Sequence, residues 1–286
     1  MLDVVVKIES KINYGTDTPS KVSMHGGGGA ANTASWLATK GNEVFFVGRT
    51  GDDAAADSII QELDRWKIEH NSIRKPGLST GIVVVIVDSS GERTMFPDSG
   101  ANSGLGVTDL PELKSFDAAY LSGYSLFNVN STEGVLEIIR ELKEAGIPIF
   151  FDPASVGTIT HFGKSAAVDH LSKMDVLLLN EEEALFLSGQ GECQQALETL
   201  LKFSPVVVIK RGALGAMAKT RISSSIEVST IEVEPVDTTG AGDAFAAGFI
   251  PEWLAKNDLE SALSEANALA GQCVLNIGAR PSVNPL

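Results

Sequence analysis

Basic residues are scarce in this chain, with 22 Lys and Arg against 37 Asp and Glu and a formal net charge of −15. A nucleic-acid surface needs clustered Lys and Arg to neutralise phosphates, so the charge argues against that class of partner. Cysteine is scarcer still: Cys193 and Cys273 stand alone, far apart, without CxxC spacing or a cluster of histidines. Neither a disulfide framework nor a zinc site is indicated, and a reducing, cytoplasmic location is expected. No apolar stretch approaches the roughly 20 residues of a membrane span, and the N-terminus has no basic segment followed by an apolar one, so no membrane association is expected. Internal repeats, low-complexity tracts and long linkers are also missing. What is present is 286 residues with 43% apolar and 21% charged content, enough for a full core.

Apolar runs of strand length alternate with helical patterns. Val44 to Val47 precedes the amphipathic stretch Ala54 to Trp66, and Ala118 to Leu121 precedes Thr132 to Ala145; Pro148 to Phe151, Met174 to Leu179 and Val206 to Lys210 follow. Short strands separated by helices require parallel crossovers, so the expected fold class is α/β: a mostly parallel sheet with helices on both faces, in one domain spanning 1–286. Two regions break the alternation. Residues 3–9 with 20–24, and residues 81–97, have strand character without an intervening helix, and Asp88-Ser89-Ser90-Gly91 is a turn composition that makes 81–97 a hairpin. The segments at about 3–25 and 81–100 are expected to form a small β lid.

The chemistry concentrates in Asp237-Thr238-Thr239-Gly240-Ala241-Gly242-Asp243-Ala244-Phe245, which puts a glycine-rich turn and a carboxylate at the opening of a helix. With little side chain in the way, the amides of Gly240, Ala241, Gly242 and Asp243 can converge on one anion, and the positive end of the helix dipole adds to the attraction. A carboxylate is unfavourable beside a phosphate unless it has another task. Asp243 therefore suits a base that takes a proton from an attacking hydroxyl. The bland reading makes the glycines a tight loop and Asp243 a helix cap. Gly26-x-Gly28-x-x-Ala31 also meets the loose dinucleotide fingerprint, but Pro19 to His25 is a poor buried strand, which argues against NAD binding.

The segment DTTGAGDAF is similar, residue for residue, to the C-terminal signature of the ribokinase-like (PfkB) carbohydrate kinases. Further matches follow in family order: Gly27-Gly28-Gly29-Ala30-Ala31-Asn32, Gly48-Arg49-Thr50-Gly51-Asp52, Gly91-Glu92-Arg93, Asn180-Glu181-Glu182-Glu183, Lys210-Arg211-Gly212-Ala213-Leu214-Gly215 and Gly278-Ala279-Arg280-Pro281-Ser282. The resemblance implies an ATP-dependent kinase that phosphorylates a hydroxymethyl group of a small sugar or sugar-like molecule, with Asp243 as base and Gly240, Ala241 and Gly242 as anion hole. It implies Asp3, Gly27, Gly28, Gly29 and Asn32 at the sugar, and Asn180 and Glu183 near a Mg²⁺–phosphate network. Lys210, Gly212 and Gly215 would lie on the nucleotide side and Asn267 beside the adenine. It further implies K⁺ held by Asp237 and Thr239 with carbonyls of Cys273, Asn276 and Gly278 and an oxygen of Ser282. In the family the lid covers the sugar and often forms the dimer contact, so a homodimer through the lid is implied. Ribokinases carry Lys where this chain has Gly29, which leaves a ketodeoxy acid, fructose, tagatose or a nucleoside open as substrate. A catalytically silent sugar or nucleotide binder on the same fold is the alternative of another class. Family members also have an apolar strand before the residue matching Asp3, whereas this chain begins Met1-Leu2: the sheet lacks that strand, the chain is truncated, or its start was assigned late.

Overall fold

The computed structural model describes residues 1–71 and 74–281. The chain opens with strands β1 (Leu2–Ile8) and β2 (Ser20–Gly26), helix α1 (Gly29–Thr39), β3 (Phe45–Phe46), α2 (Ala54–Arg65), β4 (Glu69–His70) and the hairpin β5 (Ile82–Val87) and β6 (Arg93–Asp98). Then come β7 (Ala119–Ser122), α3 (Gly123–Leu126), α4 (Thr132–Glu144), β8 (Ile149–Asp152), α5 (Val156–Phe162), α6 (Lys164–Leu171), β9 (Val176–Asn180), α7 (Glu181–Ser188) and α8 (Cys193–Leu200). The last third holds β10 (Val206–Lys210), β11 (Ala216–Thr220), β12 (Ile226–Val228), α9 (Ala241–Lys256) and α10 (Leu259–Val274).

Strands β8, β9 and β10 read Ile-Phe-Phe, Val-Leu-Leu-Leu and Val-Val-Val-Ile before a polar last residue, the composition of strands covered on both faces. They form the centre of a six-stranded sheet of order β12-β11-β10-β9-β8-β7, parallel from β10 to β7 and antiparallel at β11 and β12. Alternation along the strands splits the core in two. Ile149, Phe151, Leu177, Leu179, Val207 and Ile209 point to one side and pack with α4 to α8. Phe150, Val176, Leu178, Val206 and Val208 point to the other and pack with α9 and α10. Helices therefore cover both faces, as the alternation of runs requires. Among the described residues no helix is long and apolar enough to cross a membrane.

A second sheet has the order β2-β1-β5-β6, with β1 parallel to β5 and the other pairs antiparallel. Its register assigns side chains to faces. Met24, Val4, Val84 and Phe96 align in one row, and Val22, Val6, Ile86 and Thr94 in the next row of the same face. Asp3, His25 and Arg93 fall on the opposite face. The apolar run Val44 to Val47 does not join the large sheet: only Phe45 and Phe46 are extended, paired in parallel with β4 in a separate two-stranded ladder. Val44 and Phe46 pack there with Ile59, Leu63 and Ile68, so a local apolar cluster outcompetes the central sheet for this strand.

Candidate active site

The four parallel strands end in Ser122, Asp152, Asn180 and Lys210, which lie along one edge of the sheet. In open α/β sheets the crevice beyond this carboxyl edge is where ligands bind. The N-terminus of α9 faces it. Gly240 caps that helix in the left-handed region (φ 77°), and a methyl there would come within 2.5 Å of Ala279 Cα, so only glycine can make this turn. The Ala241 N–H turns back onto the Thr238 carbonyl (3.3 Å), leaving first-turn amides of the helix open to an anion. A methyl on Gly242 would stand 3.1 Å from Lys210 Nζ, which puts an ammonium group beside those amides.

Asp243 occupies the first turn of α9. The residue keeps some solvent access, but its carboxylate lies deep among protein atoms. Asn32 Nδ2 donates to its Oδ2 at 2.9 Å, and Thr33 Oγ1 donates to its backbone carbonyl at 3.3 Å. Burial pushes the carboxyl up to about 7; Asp152 adds to this, while the Asn32 hydrogen bond, Lys210 and Arg280 oppose it. A carboxylate that titrates near neutrality is well matched to general-base work.

Lys210 Nζ donates to Asp152 Oδ2 at 2.6 Å, both side chains being largely covered. Burial opposes the ammonium charge, yet Asp152 and Glu183 carry Lys210 above the ordinary lysine range. Asn180 and Glu183 form a reciprocal cap on α7: Asn180 Oδ1 accepts from the Glu183 N–H (2.8 Å), and Glu183 accepts from the Asn180 N–H (2.9 Å) and Nδ2 (2.7 Å). Burial, with Asp152 nearby, pushes Glu183 up to about 7. Three carboxylates around one lysine leave an excess of negative charge, which fits a divalent cation held mainly through water. Among the described residues no three His, Cys, Asp or Glu converge closely enough to hold a metal alone, so phosphate and water oxygens would supply most of its ligands.

At the other end of the crevice a methyl on Gly27 would overlap the Asp3 carboxylate, and one on Gly29 would stand 3.1 Å from Asp243 Oδ1 and 3.6 Å from Ser122 Oγ. Gly28 follows in the left-handed region (φ 92°). Asp3 Oδ1 is buried without a hydrogen-bond partner among the described residues, and burial raises its pKa. An orphaned buried acceptor is what a ligand hydroxyl would complete. The residues matched to the sugar, Asp3, Gly27, Gly28, Gly29 and Asn32, thus come together with the base.

The cation set comes out differently. Asp237 Oδ1 accepts from the Thr239 N–H (2.9 Å) and hydroxyl (2.5 Å), and Oδ2 accepts from the Gly278 N–H (2.9 Å). The Cys273 carbonyl accepts from the Asn276 N–H (3.0 Å). Arg93 of β6 reaches in beside them: its Nη1 donates to the Thr239 hydroxyl and lies 3.4 Å from Asp237 Oδ1, and Nη2 donates to Thr238 Oγ1 at 2.9 Å. Burial works against the Asp237 charge, but the Thr239 and Gly278 hydrogen bonds and Arg93 hold its carboxyl below the usual range. As they stand these residues do not fit K⁺, because a guanidinium already supplies the positive charge. Ser282 lies outside the described residues.

Of the residues expected on the nucleotide side, Gly212 and Gly215 bound the turn between β10 and β11. Asn267 lies on α10, its Nδ2 donating to the Val228 carbonyl (2.9 Å), so its amide is tied to β12. Asp152, Ser122, Arg93 and Arg280 were not singled out from the sequence. The position of Asp152 and Ser122 at the ends of apolar strand runs is the signal that could have found them, and Arg93 and Arg280 lie inside motifs whose arginines carry no role in the sequence reading.

The sequence pattern of the pfkB family carbohydrate kinases matches residues 3–285. The chain is 31% identical over 261 residues to the ATP-dependent ribose-1-phosphate kinase of Halopiger xanaduensis, covering 89% of this chain and 82% of that one. The adenosine kinase of Sinorhizobium meliloti superposes with a TM-score of 0.88 at 23% identity, covering 99% of this chain and 94% of that one, which shows the fold. A fructokinase double mutant from Vibrio cholerae O395, solved with fructose, ADP and potassium ion bound, superposes with a TM-score of 0.79 at 25% identity, covering 97% and 91%.

Proposed function

This chain belongs to the pfkB family of carbohydrate kinases and is a phosphotransferase acting on a hydroxyl group, and we propose that it transfers the γ-phosphoryl group of ATP to a hydroxymethyl group of a small sugar or sugar-like molecule. The observation that carries this reading is the Asp243 carboxylate, buried at the opening of α9 between the orphaned Asp3 acceptor and the Lys210 ammonium. Asp3 and the Gly27 to Gly29 backbone bind and orient the substrate diol. Asp243 accepts the proton of the attacking hydroxyl, and the open amides at the start of α9, with Lys210, face the oxygens of the phosphoryl group as charge builds on them; the Ala241 N–H, spent on the Thr238 carbonyl, is not among them. Magnesium, when bound, would neutralise charge on the nucleotide phosphates, with Asn180 and Glu183 reaching its water shell. Potassium has no role in this reading, because Arg93 stands beside Asp237.

The β2-β1-β5-β6 sheet acts as the lid, with Asp3 and Arg93 on its inner face, and excludes water that would compete as acceptor. A homodimer through its outer face belongs to the same reading, supported by Val22, Met24 and Phe96, exposed apolar side chains in two adjacent rows there. The test is ADP release measured against a panel of pentoses, hexoses, sugar 1-phosphates, ketodeoxy acids and nucleosides. At least one is expected to release ADP well above the water blank and to yield a phosphomonoester by ³¹P NMR. A panel with no member above the blank would contradict the activity.

A further inference from the structure

Arg280 enters the chemistry set out so far only as a positive charge acting on Asp243, yet it is heavily engaged at the sugar end of the crevice. It is 8% exposed, and its guanidinium divides between three partners. Nε donates to Asn32 Oδ1 at 3.0 Å, Nη2 donates to the Gly27 carbonyl at 2.9 Å, and Nη1 pairs with Glu62 of α2 at 2.7 Å. The segment that carries it is pinned from α1, where Trp36 Nε1 donates to the Ala279 carbonyl at 2.9 Å. A methyl on Gly26 would overlap the same guanidinium, so the backbone there is shaped around it.

A guanidinium only donates, and that property decides how Asn32 stands. With Arg280 Nε–H against it, the Asn32 side chain must present its carbonyl oxygen to Arg280 and its NH₂ group to Asp243. That is the arrangement found, with Nδ2 2.9 Å from Asp243 Oδ2. Reversed, the amide would set an oxygen against a carboxylate and an NH₂ against a cation, two repulsions in a buried place. A lysine, with one point charge, could not hold Asn32, Gly27 and Glu62 together.

We propose that Arg280 is a positioning residue of the phosphoryl transfer: it locks the Asn32 amide so that Nδ2 holds the Asp243 carboxylate in the orientation from which it takes the substrate proton. The inference rests on Asp243 being the base. Several charged or titratable groups face Asp243: Asp152 from β8, Lys210 from β10, Tyr120 from β7, Tyr124 from α3 and Cys273 from α10, with Glu183 of α7 behind Lys210. Lys210 and Arg280 are the cations that favour its ionised form. Losing Arg280 removes one of them and frees the amide to turn, and both changes push a proton onto Asp243.

The test is an NMR titration of Asp243 in full-length protein labelled with ¹³C at the aspartate carboxyls, without substrate, in the parent and in Arg280→Ala. Turnover against pH is measured beside it with D-ribose and D-fructose as acceptors. The Asp243 midpoint is expected to rise by about one pH unit in the variant, and turnover at pH 7 to fall about tenfold or more. The KM for ATP should hold, and added guanidinium ion should restore both titration and turnover. Arg280→Lys, which keeps a charge but not the fork, should fall between the two without rescue, and it is the variant to read should Arg280→Ala not fold. Glu62→Gln should lower the melting temperature and leave the Asp243 midpoint in place. An unmoved titration and an unmoved pH profile in the Arg280 variants, with only a lower melting temperature, would reduce Arg280 to packing. The titration requires no turnover, so a parent inactive on every sugar would count against the kinase activity while the orienting contact is still decided.

Discussion

Asp243→Asn is expected to disable the enzyme and to stabilise the protein, and the second effect can be sized from the site. Burial lifts the Asp243 carboxyl from an ordinary 3.8 to about 7. Between those values the folded chain holds a proton that the unfolded chain has released, so stability falls as pH rises from about 4 to about 7 and stays reduced above that. At 1.36 kcal/mol per pH unit, keeping this carboxylate ionised at pH 8 costs at most about 4 kcal/mol. Asparagine has the shape of the protonated acid, does not ionise, and can still offer its oxygen to the Asn32 amide. The variant should therefore exceed the parent in stability by up to about 4 kcal/mol at pH 8 and by less than about 1 kcal/mol at pH 4. In a chain of this size each kcal/mol moves the melting temperature by about 2–4 °C, so thermal unfolding at the two pH values reads the difference directly. Turnover should fall at least about a hundredfold with ATP binding retained. A melting-temperature advantage equal at both pH values, or turnover within tenfold of the parent, would refute the reasoning.

Gly27→Ala drives a methyl into the Asp3 carboxylate, so the KM for the sugar should rise while the KM for ATP holds; equal changes in both would show a general defect instead. Glu183→Gln should raise the Mg²⁺ concentration needed for half-maximal activity more than it changes sugar affinity, and an unchanged Mg²⁺ titration would remove Glu183 from the phosphate network. The parent should turn over equally in KCl and NaCl at matched ionic strength, because Arg93 already balances Asp237; Arg93→Ala should make KCl the better salt. A parent activated by K⁺ over Na⁺ would contradict that balance.

Local signals were legible wherever one segment carries its own reason. The all-apolar runs of β8, β9 and β10 announce strands covered on both faces, and the glycine-rich turn before Asp243 announces a helix N-terminus open to an anion. Asn180 and Glu183 stand out by their spacing, but not as the reciprocal cap in which each uses the other's polar atoms. Side-chain pairs between distant segments were not legible. Arg280 meets Asn32 across 248 residues, Arg93 meets Thr238 across 145, and Lys210 meets Asp152 across 58. Such contacts depend on how the lid register and the last turn place long side chains, and no periodicity encodes that. The fate of Val44 to Val47 shows the same limit, since an apolar run states that it is buried but not in which sheet.

The pH dependence of kcat/KM for the phosphorylated sugar tests the central claim most directly. Asp243 must be ionised to accept the hydroxyl proton, and its carboxyl titrates at about 7. The parent's kcat/KM should therefore rise with unit slope through about pH 7 and level off above it. A rate independent of pH between 5.5 and 8 would contradict Asp243 as the base.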